Sequence, residues 1–294
     1  MNASATHTDP FPLTLMDAVT LARWPGALLV VDCRHDLADP AAGARAYAAG
    51  HLPAAVHADL DRDLSDLTRS EAGLGRHPLP AVSDFARTLA RWGWHPGLPV
   101  VTYDAHGGAL GAARLWWMLR ALQQPAAVLD GGLPAWLAAG LPLETTAPAR
   151  VTQTPTPLPD FPVTAVADTV ELQRHLQAGS ARVVDARAPE RYRGEVEPID
   201  PVAGHIPGAR NRPYAQNLQA DGRFKPAAQL RAEWQALLAG LPPAQVLHSC
   251  GSGVSACHNL LAMEHAGLRG SRLYAPSWSG WVSDRARPVA RGSD

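Results

Sequence analysis

The chain has 294 residues, a hydrophobic fraction of 46% and a formal net charge of −1. That length suits two ordinary domains with proper cores, and the near-neutral charge argues against nucleic acid or an anionic membrane surface as a partner. No apolar run reaches membrane-spanning length, the polar N-terminus lacks the pattern of a secretory signal, and three cysteines are too few and too odd in number for a disulfide framework, so a reducing cytoplasm is expected.

In chain order, residues 1–12 read as a loose tail and 13–141 as a first domain. Residues 18–23 form a short helix in this reading. Residues 27–31 are a continuous apolar run ending at Asp32-Cys33-Arg34, which suits a buried parallel strand. Gly50-His51-Leu52-Pro53 follows, then Asp59-Leu60-Asp61 and a long loop through Gly75-Arg76-His77-Pro78. Residues 85–93 read as a helix, 98–104 as a strand, 112–122 as a helix after a glycine turn, 126–129 as a strand and 134–140 as a short helix. Residues 142–162 are rich in Pro, Thr and Ala and predict an extended, semi-stiff connector.

The order then repeats. Val183-Val184-Asp185-Ala186-Arg187 echoes Val30-Val31-Asp32-Cys33-Arg34, and Gly204-His205-Ile206-Pro207 echoes Gly50-His51-Leu52-Pro53. Residues 246–250 echo 100–104, and 273–281 echo 129–136, at an offset of about 150 throughout. Matched landmarks in one order predict a duplicated α/β domain, the second copy covering 163–294, each a parallel sheet flanked by helices. Sites in such sheets form at the carboxyl ends of strands. At the matching turn the second half has Cys250 and the first has Asp104. The first half is therefore expected to be catalytically silent and to form a wall of the site. The Gly-His-Leu/Ile-Pro histidines occur in both halves and read as structural. Cys33 and Cys257 read as core, and Cys250, Cys257 and His258 lack zinc-site spacing.

Cys250 sits between a strand and a helix that looks to run from about 255 to 265. Gly251 and Gly253 let successive backbone N–H groups converge, and the helix adds its N-terminal partial charge. Such a cradle favours thiolate and predicts a nucleophilic or sulfur-carrying cysteine. The hydroxyls of Ser252 and Ser255 are placed to hydrogen-bond the thiolate or a leaving group.

The run Cys250-Gly251-Ser252-Gly253-Val254-Ser255-Ala256, with Trp278 and Trp281 downstream, resembles the active-site loop of two-domain rhodanese-type sulfurtransferases. Within them it is similar to the 3-mercaptopyruvate branch, since the thiosulfate branch carries Arg and Lys where this chain has Gly251 and Ser252. The resemblance spans roughly residues 13–290 and implies two tandem rhodanese-like α/β domains. It implies that Cys250 takes sulfur from 3-mercaptopyruvate, a small anionic donor, as a persulfide. The sulfur then passes to a thiol acceptor such as thioredoxin or a small thiol, or to cyanide, and no cofactor or metal is implied. It also implies that Ser252 works with His77 and Asp61 in proton transfer as the pyruvate enolate leaves. Arg191 would grip the donor carboxylate, oriented by Asp185, with Gly251, Gly253, Val254, Ser255, Arg187 and Arg212 completing the donor-binding set. The chain departs from the branch at Pro198-Ile199-Asp200-Pro201-Val202, which lacks a second substrate arginine. Arg210 and Arg212 are the candidates to substitute, and the donor preference stays open. A thiosulfate:cyanide sulfurtransferase is the nearer alternative, and a non-catalytic rhodanese-like binding module the other. A phosphatase on this fold would need an arginine in the loop, and residues 251–256 hold none.

Overall fold

The computed structural model describes residues 10–293, so residues 1–9 of the expected tail lie outside the described residues. The first half contributes strands β1 (Leu15–Met16), β2 (Leu29–Asp32), β3 (Val56–His57), β4 (Val100–Tyr103) and β5 (Ala126–Leu129). They form one sheet in the order β1-β5-β4-β2-β3, with every pairing parallel. The second half contributes β6 (Val166–Ala167), β7 (Arg182–Asp185), β8 (Arg210–Asn211), β9 (Val246–Ser249) and β10 (Arg272–Tyr274). Their order, β6-β10-β9-β7-β8, repeats the first, again all parallel. The duplication read from the sequence is thus a duplicated fold.

Strands β2, β4, β5 and β9 are buried along their whole length, as apolar runs covered by helices on both faces require. The strand expected at 98–104 starts only at Val100. Pro99 has no N–H to give the ladder, although its carbonyl accepts from Leu29 N–H at 2.9 Å. The helix expected at 85–93 begins earlier, as Val82–Arg91, because Val82, Phe85, Ala86 and Leu89 form one buried stripe.

The two halves share a core. Trp116, Leu119 and Leu122 from the first half join Val254, Leu261 and Met263 from the second in one buried cluster, where the helices Gly111–Ala121 and Ala256–His265 pack together. His258 is fully buried there, and its Nε2–H donates across to the Gly107 carbonyl at 3.1 Å. Burial lowers its pKa to about 4, so the ring is neutral. Asp130 of the first half accepts from Phe224 N–H of the second at 2.8 Å. The segment between the halves lies over the first one, with Phe161 stacked on Trp117 at 5.7 Å and Gln153 N–H donating to the Ala90 carbonyl. Among the described residues no helix is long and apolar enough to cross a membrane.

Candidate active site

Cys250 follows directly on β9 at the carboxyl end of the second sheet and is 1% exposed. Its N–H donates to Ser277 Oγ at 3.1 Å. Trp278 N–H donates to the Cys250 carbonyl and Ser279 N–H to the Gly251 carbonyl, both at 2.9 Å. Ser277 has φ 52°, and Gly132 at the matching place in the first half has φ 57°. A non-glycine residue in that region costs about 1–3 kcal/mol. The serine hydroxyl offsets the strain by accepting the Cys250 amide and donating to the Tyr274 carbonyl at 3.0 Å.

Gly253 closes the loop. Its N–H donates to Cys250 Sγ at 3.2 Å. It has φ 81°, and a Cβ there would lie 2.4 Å from the Ala275 carbonyl oxygen. Ser255 then opens the helix beneath a buried Val254. The same turn in the first half shows what such a cradle selects. Asp104 is fully buried, and its carboxylate accepts N–H groups from His106 and Gly108 at 2.8 Å and Leu110 at 3.2 Å. Burial raises its pKa while these three hydrogen bonds lower it. One half closes its amide nest on oxygen, the other on sulfur.

Ser252, His77 and Asp61, brought in from 175 and more residues away, line up beside Cys250. Ser252 Oγ lies 2.7 Å from His77 Nδ1, and His77 Nε2 lies 3.3 Å from Asp61 Oδ1. Asp61 is positioned by the short helix Leu60–Asp63, whose cap Asp59 accepts N–H from Asp61 and Arg62 at 2.9 Å. Burial is the largest influence on His77 and lowers its pKa, with the Asp61 hydrogen bond opposing it and Arg114 and Arg76 adding to it. Asp61 is held below the ordinary carboxylate value, chiefly by its hydrogen bond to His77. The neutral imidazole has one N–H, and ionised Asp61 can only accept. Nε2 therefore carries the proton, and Nδ1 accepts from the Ser252 hydroxyl.

The arginines sort differently from expectation. Arg191, on the short helix Pro189–Tyr192, does stand over the loop. A Cβ on Gly251 would lie 3.7 Å from both of its terminal nitrogens. Asp185 does not orient it, because Asp185 is occupied by Arg187 at 2.7–3.1 Å. Glu197, at 2.6 Å, and Asp200, at 3.4 Å, hold Arg191 instead. Arg187 itself is buried, donates to the Gly204 carbonyl at 2.8 Å and lies over Trp278. Arg34 repeats this in the first half with Asp32 and the Gly50 carbonyl. The arrangement is common to both halves and reads as framework, with the Arg187 guanidinium already occupied by Asp185 and the Gly204 carbonyl. The Arg212 guanidinium is likewise engaged elsewhere, turned to Glu233 at 2.6 Å and stacked over Trp234. The duplicated histidines are structural, with His51 stacked on Tyr47 and His205 on Tyr192 at 3.9 and 3.8 Å. Trp278 and Trp281 are buried packing residues whose indole N–H groups donate to the Val202 and Pro288 carbonyls.

Arg114 was invisible in the sequence. It lies mid-helix in the first half, fully buried, and donates to the Gly253 carbonyl at 2.9 Å and the His77 carbonyl at 3.0 Å. It thus ties the cysteine loop to the histidine loop. No carboxylate pairs with it among the described residues, so its charge is left to act on the sulfur side of the site. A cavity of about 540 Å³, lined by His35, Leu37, Asp61, Arg76, His77 and Ile199, opens between the halves beside this relay. Among the described residues no group of His, Cys, Asp and Glu is arranged to hold a metal ion.

The model of the rhodanese-like domain matches residues 17–139 and again 168–284. The chain is 48% identical over 267 residues to a Pseudomonas aeruginosa protein provisionally named a 3-mercaptopyruvate sulfurtransferase, covering 90% of this chain and 93% of that one. It is 42% identical to a Mycobacterium tuberculosis protein provisionally named a thiosulfate sulfurtransferase, with 90% and 91% covered. Among solved structures it resembles the 3-mercaptopyruvate sulfurtransferase from Leishmania major, with a TM-score of 0.79, 33% identity, and 90% of this chain and 73% of that chain covered.

Proposed function

The chain belongs to the rhodanese-like family, carrying the domain twice, and is a sulfurtransferase; on that premise we propose that Cys250 takes sulfur from 3-mercaptopyruvate as a persulfide and that Ser252, His77 and Asp61 move the proton. The observation that carries this reading is the hydrogen-bonded line from Ser252 through His77 to Asp61 beside the cysteine loop. Thiosulfate has no carbon leaving group and gives such a relay nothing to protonate. The Cys250 thiolate attacks the donor's sulfur, the donor's carbon–sulfur bond breaks, and its electron pair leaves on the enolate of pyruvate. The proton on the donor thiol passes through Ser252 and His77 to the enolate carbon, giving pyruvate and an ionised persulfide with no net proton consumed. The Gly253 N–H and the cationic Arg114 stabilise negative charge on the sulfur. Asp104 in place of a cysteine makes the first half a silent wall that lends His77 and Asp61. The outer sulfur then passes to a thiol or to cyanide, a thiol being the acceptor that a reducing compartment supplies.

The test is the ratio of kcat/KM for 3-mercaptopyruvate to that for thiosulfate, with one acceptor, beside the Cys250→Ser variant. A ratio well above one, one added sulfur atom on Cys250 by mass spectrometry after donor treatment, and an inert serine variant are expected. A preference for thiosulfate would overturn the donor, and an active serine variant would overturn the persulfide.

A further inference from the structure

Ser252, His77 and Asp61 account for the proton of the donor step, but the acceptor step has a proton of its own. An alkyl thiol of the cysteine type has a pKa of about 8.5 and is mostly protonated at neutral pH, and only its thiolate attacks sulfur. His77 is not free to take that proton, because Ser252 occupies Nδ1 and Asp61 occupies Nε2. A second imidazole lines the same cavity. His35 is 8% exposed and stands there with Asp61, Arg76 and His77. Among the described residues no protein group hydrogen-bonds its ring nitrogens, and neither nitrogen is closed off from open space. We infer that His35 is the base that takes the thiol proton of the acceptor in the second half of the reaction, the acceptor being an alkyl thiol that enters through this cavity. This rests on the reading of a Cys250 persulfide given above.

The duplication separates this histidine from the framework. Arg34 and Arg187 make the same contacts in the two halves, but the next residue is His35 in the first and Ala188 in the second. The fold is thus built at this place without an imidazole. The surrounding charge suits a proton acceptor. Asp61, Arg76 and His77 lie on the cavity side of His35, and Arg34, Asp36 and His106 around a smaller hollow on its other side. Asp61 is held below the ordinary carboxylate value first by its hydrogen bond to His77 and also by His35, and the ionised carboxylate in turn favours an imidazolium at His35. Leu37, Pro198 and Ile199 give the cavity an apolar wall that receives a carbon chain. In the step itself, the S–H proton passes to the accepting nitrogen of His35 and the acceptor's sulfur attacks the outer sulfur of the persulfide. A new sulfur–sulfur bond forms as the bond to Cys250 breaks, and the electron pair of that bond returns to Cys250 as thiolate. The acceptor leaves as an ionised persulfide and His35 gives its proton to water, so the sulfur moves with no oxidant or reductant.

The experiment loads the parent, His35→Ala and His35→Gln with sulfur from 3-mercaptopyruvate, removes the donor, and follows discharge of the Cys250 persulfide by two acceptors. One is 2-mercaptoethanol, protonated at the assay pH, and the other is 4-nitrothiophenol, already ionised there. With 2-mercaptoethanol both variants are expected to discharge about 100-fold more slowly than the parent, at the low end of the range for general acid–base help. With the aryl thiolate, which has no proton to give up, the variants should keep pace with the parent. The burst of pyruvate in the loading step should fall much less than discharge by the alkyl thiol. An equal loss with both acceptors would assign His35 to the shape of the cavity and overturn the inference, as would an unchanged rate with 2-mercaptoethanol. Thermal melting accompanies the kinetics, and should the alanine variant not fold, the ratio of the two acceptors in the glutamine variant decides alone. A parent that gains no sulfur on Cys250 would overturn the persulfide reading and the role of His35 together. A loaded parent whose discharge is matched by the variants would overturn only the role of His35.

Discussion

Asp61 is the far end of the relay, and its part is to fix which nitrogen of His77 carries the proton. An amide in its place can donate to Nε2, reverse the tautomer and leave Nδ1 unable to accept from Ser252. Asp61→Asn is expected to lower kcat/KM roughly 10²- to 10⁴-fold, the range for lost acid–base help, with little change in melting temperature because Asp61 is partly exposed. The pH profile gives a second readout. Burial already lowers the His77 pKa, so the acid limb of the parent should lie below the ordinary histidine value of about 6.5. Asp61 is what raises that pKa, so in the asparagine variant the limb should move to still lower pH. A limb that stays in place or moves upward would show that His77 is not the titrating group.

The helix Gly111–Ala121 reads in the sequence as an ordinary packing element, yet it delivers Arg114 to three carbonyls, those of Gly253, His77 and Leu64. Two opposing terms govern Arg114→Met. Each carbonyl left unsatisfied costs about 1–3 kcal/mol, while removal of a buried, unpaired charge recovers several kcal/mol. The melting temperature should therefore shift by no more than a few degrees, while kcat/KM falls at least about tenfold as the two loops lose their shared anchor. Kinetics and thermal melting on one preparation check this. A large loss of stability with activity per folded molecule intact would reverse the assignment.

For the whole molecule, the seam between the halves is both core and active site. The cysteine loop belongs to one half, and Asp61, Arg76, His77 and Arg114 to the other. Residues 163–294 made alone would expose the helix Ala256–His265, which is buried along most of its length. Such an apolar face associates or aggregates. The isolated half is expected to be poorly soluble and to show less than about a thousandth of the parent's activity with 3-mercaptopyruvate, since the relay is gone. Size-exclusion chromatography and the same kinetic assay check this. A soluble, active second half would mean that the first contributes no chemistry.

The sequence by itself determined the duplication, the parallel sheets and the glycine-spaced turn around Cys250, whereas the partnership of Ser252 with His77 and Asp61 was implied by a family resemblance. The first three follow from local rules: buried strands read as apolar runs, glycine spacing shapes a turn, and a repeat displays itself. Element ends drifted by two or three residues where a proline or a buried stripe decided them. The arginines were a different matter. Arg187 and Arg212 looked like donor ligands because both lie close to the right segments, but the fold binds one into a framework repeated in Arg34 and turns the other toward Trp234. Arg76 and Arg114 carried no signal beyond their charge. A guanidinium on a long, flexible stem reaches wherever packing and neighbouring charge send it, and both elements that carry these two belong to the other domain. Which arginines reach the cysteine loop, and that Asp200 lies between Arg76 and Arg191, was decided by how the two sheets dock.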